Sequence, residues 1–143
     1  MILIDVNILV YASITGSSLH HAAKEWLDNQ LNGPAPVGLP WMCVLGYLRL
    51  VTNARISKPP VPMAIAWQRV LDWFSATTVW IPAPTERHAE VLGGLLSHPG
   101  VHGNLVSDAH LAALAIEHGL ALCSTDGDFA RFSGLRWINP LAR

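Results

Sequence analysis

Apolar and polar positions fall in short alternating blocks along the 143-residue chain, with Pro and Gly between them. Residues 1–4 are a continuous apolar, β-type run ending at Asp5, the pattern of a strand buried on both faces. After a Gly-Ser turn, Ser18 is the expected cap of a helix in which Ala22, Trp26, Leu27 and Leu31 share a face and Gly33 marks the end. Residues 36–39 read as a second strand. Residues 41–52 have helical periodicity, with Leu45, Leu48 and Thr52 on one side. Lys58-Pro59-Pro60 is a loop, and Pro62 suits the first turn of a helix that continues to about Phe74. Residues 78–81 read as a third strand, and Thr85 is the expected cap of a helix to about Ser97. Pro99, Gly100 and Gly103 mark a connection before a Leu- and Ala-rich helix over 105–118, stopped by Gly119. Residues 120–124 form another buried strand and 136–138 a last short one. Strands alternating with helices predict parallel pairing with helices on both faces: an α/β chain folded as a three-layer α/β/α sandwich, one domain over 1–143.

Composition sharpens this picture. Apolar residues make up 51% of the chain and charged residues 13%, about half the ordinary charged share, which excludes a disordered or fibrous chain. A mean hydropathy of +0.33 predicts apolar surface left over for a partner. Nine Lys plus Arg against ten Asp plus Glu give a formal charge of −1, which excludes polycation-style nucleic-acid binding and leaves only local patches. Charged or His residues interrupt every apolar stretch before it reaches bilayer length, and the start of the chain lacks the positive residues of a signal peptide. Cys43 and Cys123 lie in separate apolar runs without CxxC spacing and read as buried thiols. The expectation is a compact cytoplasmic protein with no membrane association.

With so few acids, their positions carry information. Glu25, Asp28, Asp72, Glu86, Glu90 and Glu117 fall in helical patterns where a solvated face accounts for them. Asp5 closes the first strand, Asp108 lies near the start of the 105–118 helix, and Asp126 and Asp128 follow the 120–124 strand. Each has a plain structural explanation: a cap for the turn after Asp5, a helix dipole at Asp108, turn chemistry at Asp126-Gly127-Asp128. Their conjunction points elsewhere, because open parallel sheets bind ligands beyond the carboxyl ends of their strands. Carboxylates brought together at about 4 Å repel by on the order of 4 kcal/mol at an effective dielectric near 20, which retained protons or a divalent cation relieve. Hard oxygen ligands suit Mg²⁺ or Mn²⁺, ions that engage phosphates and activate water. The chemistry suggested is metal-dependent phosphoryl transfer to water.

Three segments carry a family resemblance: Ile2-Leu3-Ile4-Asp5-Val6-Asn7, Ser107-Asp108-Ala109-His110-Leu111-Ala112-Ala113-Leu114-Ala115 and Ser124-Thr125-Asp126-Gly127-Asp128-Phe129. In this order they resemble the PIN-domain ribonucleases, above all the VapC toxins of bacterial toxin–antitoxin pairs. The resemblance implies a four- or five-stranded parallel sheet, dependence on Mg²⁺ or Mn²⁺, RNA cleavage, a homodimer and a cognate antitoxin that covers the site. By the same resemblance Asp5 and Asp108 match the principal metal ligands, Asp126 a further active-site acid and Asp128 the acid beside it. Asn7 matches the polar position that supports the first Asp. The family also supplies a Glu from the helix after the second strand, whereas residues 41–49 hold no acid and Val44 is the expected matching position.

A ribonuclease needs cations near its carboxylates. Arg49 and Arg131 are the best placed of the arginines, although each alone also reads as a solvated surface residue. His98, His102 and His110 fit no closed zinc spacing. Trp41, directly after Pro40, is the Trp expected to stack on an RNA base. The helices over 41–52 and 62–74 are apolar around much of their circumference, which predicts an interface with a second copy or with an antitoxin helix. Two other readings stay open. One is a PIN-like module that binds RNA or protein without cutting, for want of the Glu. The other is a phosphatase with an aspartyl nucleophile, a chemistry that wants a second acid where this chain has Asn7.

Overall fold

The computed structural model describes residues 1–142. Five short strands, β1 (Ile2–Ile4), β2 (Val37–Gly38), β3 (Val79–Trp80), β4 (Ala121–Cys123) and β5 (Trp137–Ile138), form one all-parallel sheet in the order β3-β2-β1-β4-β5. β1 sits at the centre with Ile2 opposite Val37 on one side and opposite Ala121 on the other. That position explains its unbroken apolar run, since both faces are covered by helices. Six α-helices flank the sheet: α1 (Val6–Ser13), α2 (His20–Leu31), α3 (Trp41–Val51), α4 (Met63–Ser75), α5 (His88–Leu96) and α6 (Leu105–Glu117). α1 to α4 pack on one another as one group and α5 with α6 as a second, which completes the expected three-layer sandwich. No helix among the described residues is long and apolar enough to cross a membrane.

α1 is the element that the sequence pattern does not announce. Its residues Val6-Asn7-Ile8-Leu9-Val10 continue the apolar, β-branched character of β1, yet the chain turns into a helix directly at Asp5. The Asp5 side chain makes the turn possible: Oδ1 accepts the Val6 N–H at 2.7 Å, satisfying one of the free donors of the first turn. Ile8 and Leu9 then drop into the core. A second departure is at α2, which begins at His20 rather than behind a Ser18 cap. The Ser17 hydroxyl, one residue earlier, accepts the Leu19 N–H at 3.2 Å and shapes the approach instead.

The core is the contact surface between the sheet and both helix groups, with Leu3, Ile4, Val37 and Leu122 from the strands meeting Ile8, Tyr47, Leu111 and Leu114 from the helices. Cys43 and Cys123 are buried free thiols, as their apolar surroundings predict. Gly119 closes α6 with a positive φ of 67°, the left-handed geometry that a side chain disfavours. The chain then re-enters the sheet at β4, after which a 3-10 helix (Gly127–Arg131) leads towards β5. The consequence for function is the order of strands. β1 and β4 are neighbours although most of the chain lies between them, and the connections leave them in opposite directions across the sheet. This switch point opens a crevice beyond their carboxyl ends.

Candidate active site

The backbone first brings the acids together. The Asp5 N–H donates to the Cys123 carbonyl at 3.0 Å, so the end of β1 lies against the end of β4. The next residue, Ser124, just past the end of β4, is fully buried and serves as a hub. Its hydroxyl donates to Asp5 Oδ2 at 2.8 Å and accepts from Asn7 Nδ2 at 3.0 Å and from the Asp126 N–H at 3.0 Å. One donor and two acceptor lone pairs are thereby all used. Asn7 Oδ1 also accepts from the Thr125 N–H at 3.4 Å, so Asn7 supports the Asp5 site through Ser124 and the β4 turn. Asp126 Oδ1 accepts the Asp128 N–H at 2.9 Å, fixing the turn that carries both acids.

The second half comes from α6. Asp108 stands in its first turn, and its carboxylate lies in a group with those of Asp126 and Asp128 whose oxygens are all within 4.8 Å of one another. Asp5 is not part of that tightest group. It shares the cavity, about 740 Å³, with Asp108, Asp126, Asn7 and Arg49, while both of its oxygens accept a hydrogen bond and keep a further lone pair free. Asp128 is thus closer to the centre of the cluster than its expected place beside it, and Asp5 is at the wall.

Charges confirm the crowding. Burial, then Asp126, Asp5 and Asp128, push Asp108 from its ordinary 3.8 to about 6, against a smaller opposing pull from Arg131. Burial also raises Asp5, with Asp126 adding to the rise and the bonds from Ser124 and Val6 opposing it. The Cys43 thiol behind the site is pushed up by its complete burial and then by Asp5, so it stays protonated and inert.

The donor set tests the fit of a cation. Ligands of one Mg²⁺ sit 2.0–2.1 Å from it and so within about 4.2 Å of each other. The oxygens of the three carboxylates all lie within 4.8 Å of one another, so the widest pair exceeds that span by no more than about 0.6 Å, and an all-oxygen set suits Mg²⁺ or Mn²⁺ better than a softer ion. The residues present fit the group.

Other sequence candidates fall on either side of the cavity. Arg49 lines it and is exposed on α3. Arg131 is held at its edge, with Nη2 donating to Asp128 Oδ1 at 3.1 Å and Nε to the Asp128 carbonyl at 3.1 Å. Trp41 is 45% exposed and tilts against Phe74 at 5.3 Å between ring centres, outside the cavity wall. Val44 is fully buried in the core and does not face the site; α3 instead lines the cavity with Met42, Leu45, Gly46 and Arg49. Position 44 is therefore not the place from which α3 would present an acid, because its helical phase turns it towards the sheet. His110 turns to α5, where its Nδ1 meets His88 Nε2 at 3.0 Å and His88 Nδ1 meets Glu117. Sequence reasoning did not single out Ser124, Ser107 or Asn104, all of which border or build the site. The signal for Ser124 was a polar residue closing an otherwise apolar strand.

A family model described as PIN domain matches residues 2–135. The chain belongs to the PIN-domain family. Among relatives of this PIN domain, ribonuclease VapC37 of Mycobacterium tuberculosis (strain ATCC 25618 / H37Rv) is 42% identical over 142 residues, covering 99% of each chain. Ribonuclease VapC33 of the same strain is 39% identical over 141 residues, again covering 99% of each. Two solved structures share the PIN fold at low identity. FitAB bound to an IR36 DNA fragment aligns with a TM-score of 0.70 and 23% identity over 100% of this chain and 97% of the other. VapBC2 from Rickettsia felis, bound to a DNA fragment from its promoter, aligns with a TM-score of 0.66 and 19% identity over 97% and 98%.

Proposed function

We propose that this PIN domain is the endoribonuclease toxin of a toxin–antitoxin pair and cuts RNA with the help of Mg²⁺ or Mn²⁺. The observation that carries the reading is the convergence of Asp108, Asp126 and Asp128, the first two lining a cavity that also holds Asp5 and Arg49. The full-length similarity to proteins named ribonuclease VapC supports it. Asp5, Asp108 and Asp126 would hold the cation, with Asp128 beside them. Asn7 acts on Asp5 through the Ser124 hydroxyl. A bound divalent cation supplies charge neutralisation at the scissile phosphate and a water of lowered pKa. Arg49 and Arg131 steady neighbouring phosphates from the two sides of the cavity, and the exposed Trp41 ring offers a stacking face for an unpaired base.

The partners follow from the surface. Trp41 and Leu45 on α3 and Met63, Trp67 and Leu71 on α4 are exposed, an apolar stretch suited to an antitoxin helix or a second copy of the chain. One observation favours a second reading. α3 places no acid at the cavity, so a domain that holds RNA without cutting it also suits this site. Incubating the purified chain with single-stranded RNA in Mn²⁺ or in EDTA separates the two. We expect cleavage in Mn²⁺ alone, lost in Asp5→Ala without loss of cooperative unfolding. RNA retained without cleavage in Mn²⁺ would establish the binding module.

A further inference from the structure

Where α1, α2 and α4 meet, the protein holds a cation that nothing among the described residues answers. Arg69 lies on α4 at the border of its buried residues Ala66, Val70 and Trp73. Its Nη1 is fully covered and meets no hydrogen-bond acceptor among the described residues. The ion pairs among those residues do not include it. A covered guanidinium donor without an acceptor is costly, and a bound water or ion is one of the things that relieve such a group.

Arg69 also stands between two adjoining hollows of about 260 and 290 Å³, both lined by Ser13 and Thr15 as well. Lys24 borders the first and Lys58 the second. Asp28, paired with Lys24 at 2.8 Å, is the one acid on either wall among the described residues. Three cations less one carboxylate leave two positive charges here, in a chain whose formal charge is −1. His20 spends its Nδ1–H on the Tyr11 carbonyl at 2.9 Å, and the Ser13 hydroxyl is spent on Tyr47 at 3.0 Å.

We propose that Arg69, with Thr15, Lys24 and Lys58 around it, is a binding site for a phosphate monoester group. A carboxylate carries one charge on two oxygens, which the arginine fork alone would satisfy. A phosphate monoester carries nearly two charges on three strong acceptor oxygens, and so uses the Thr15 hydroxyl and the flanking ammonium groups too. The site is separate from the acidic cluster. Asp5 caps one end of α1 and Ser13 ends the other, eight residues on, about 12 Å of helix rise. It stands whether or not the acidic cluster cuts RNA.

The test uses the full chain in EDTA, with inorganic phosphate titrated against chloride at equal ionic strength and thermal unfolding as the readout. A saturable rise in Tm is expected, with phosphate affinity about tenfold or more weaker in Arg69→Leu. Thr15→Val, which keeps the shape, should weaken it less and carries the test if Arg69→Leu fails to fold. Short RNA with a 5′-phosphate or a 5′-hydroxyl then identifies the source. Displacement of phosphate by the phosphorylated strand alone assigns the site to an RNA end, and displacement by neither assigns it to free phosphate or a nucleotide. No rise beyond that in chloride, or an equal rise in wild type and both variants, overturns the proposal.

Discussion

Asp108 concentrates the tension of this site in one side chain. Its pKa of about 6 lies above the ordinary 3.8, so between those values the folded chain binds more protons than the unfolded one. Stability from this group is present below 3.8, falls as pH rises through that window, and stays lost above about 6. Asp108→Asn removes the penalty. In EDTA its advantage in Tm over the wild type should therefore be larger above pH 6 than below 3.8. Added Mn²⁺ should reverse the order by stabilising the wild type alone, and its affinity should weaken as pH drops below about 6, because the ion competes with a proton. Ser124 tests the opposite kind of residue, one that holds others still. Ser124→Ala strips a partner from Asp5 Oδ2, Asn7 Nδ2 and the Asp126 N–H at once, so urea unfolding should show a loss of about 1–3 kcal/mol. RNA cleavage should fall with it, while overall secondary structure by circular dichroism stays the same.

Among the elements, α1 and α3 are coupled where Gly46 brings no side chain of its own against Val6. A Cβ at Gly46 would lie 3.1 Å from Val6 Cγ2, closer than such contacts normally come, so α3 approaches the first turn of α1 through its glycine. Gly46→Ala should push on Val6 and through it on the Asp5 cap, at a cost of roughly 1 kcal/mol or more. Val6→Ala in the same chain should recover most of that loss, a coupling that a double-mutant cycle by denaturant unfolding measures directly. The elements also differ in how far they can be read from sequence. β1 and β4 announce themselves by continuous apolar runs, and α6 by its Leu and Ala content and the Gly119 stop. α1 does not, because a helix of eight residues owes its existence to a cap and to packing on its neighbours rather than to its own propensity. Val44 misleads for a related reason: a local pattern finds the helix without fixing its rotation about its axis.

At the scale of the whole molecule, an apolar share of 51% exceeds what the interior takes up, and large apolar side chains remain exposed on α3 and α4. Without a partner the chain should self-associate. Light scattering on a sizing column should give an apparent mass near twice the 15.5 kDa of one chain, shifting towards one chain when Trp67 and Leu71 are both changed to Glu. An unchanged mass would place the contact elsewhere.

The sequence alone determined the α/β class, the succession of strands and helices apart from α1, and which four acids stand at element ends, because periodicity, capping and turn chemistry are local properties written in consecutive residues. Tertiary structure alone decided that β1 and β4 are neighbours, and so that Asp5 meets Ser124 and Asp126 while Asp108 comes down onto them from α6. It also decided that Asp128 joins the tight group and Asp5 its wall, and that Trp41 packs on Phe74 outside the cavity lining. Those outcomes rest on strand order, helix rotation and which surfaces are dehydrated together. Such quantities depend on contacts between residues far apart in the chain, which no local pattern encodes.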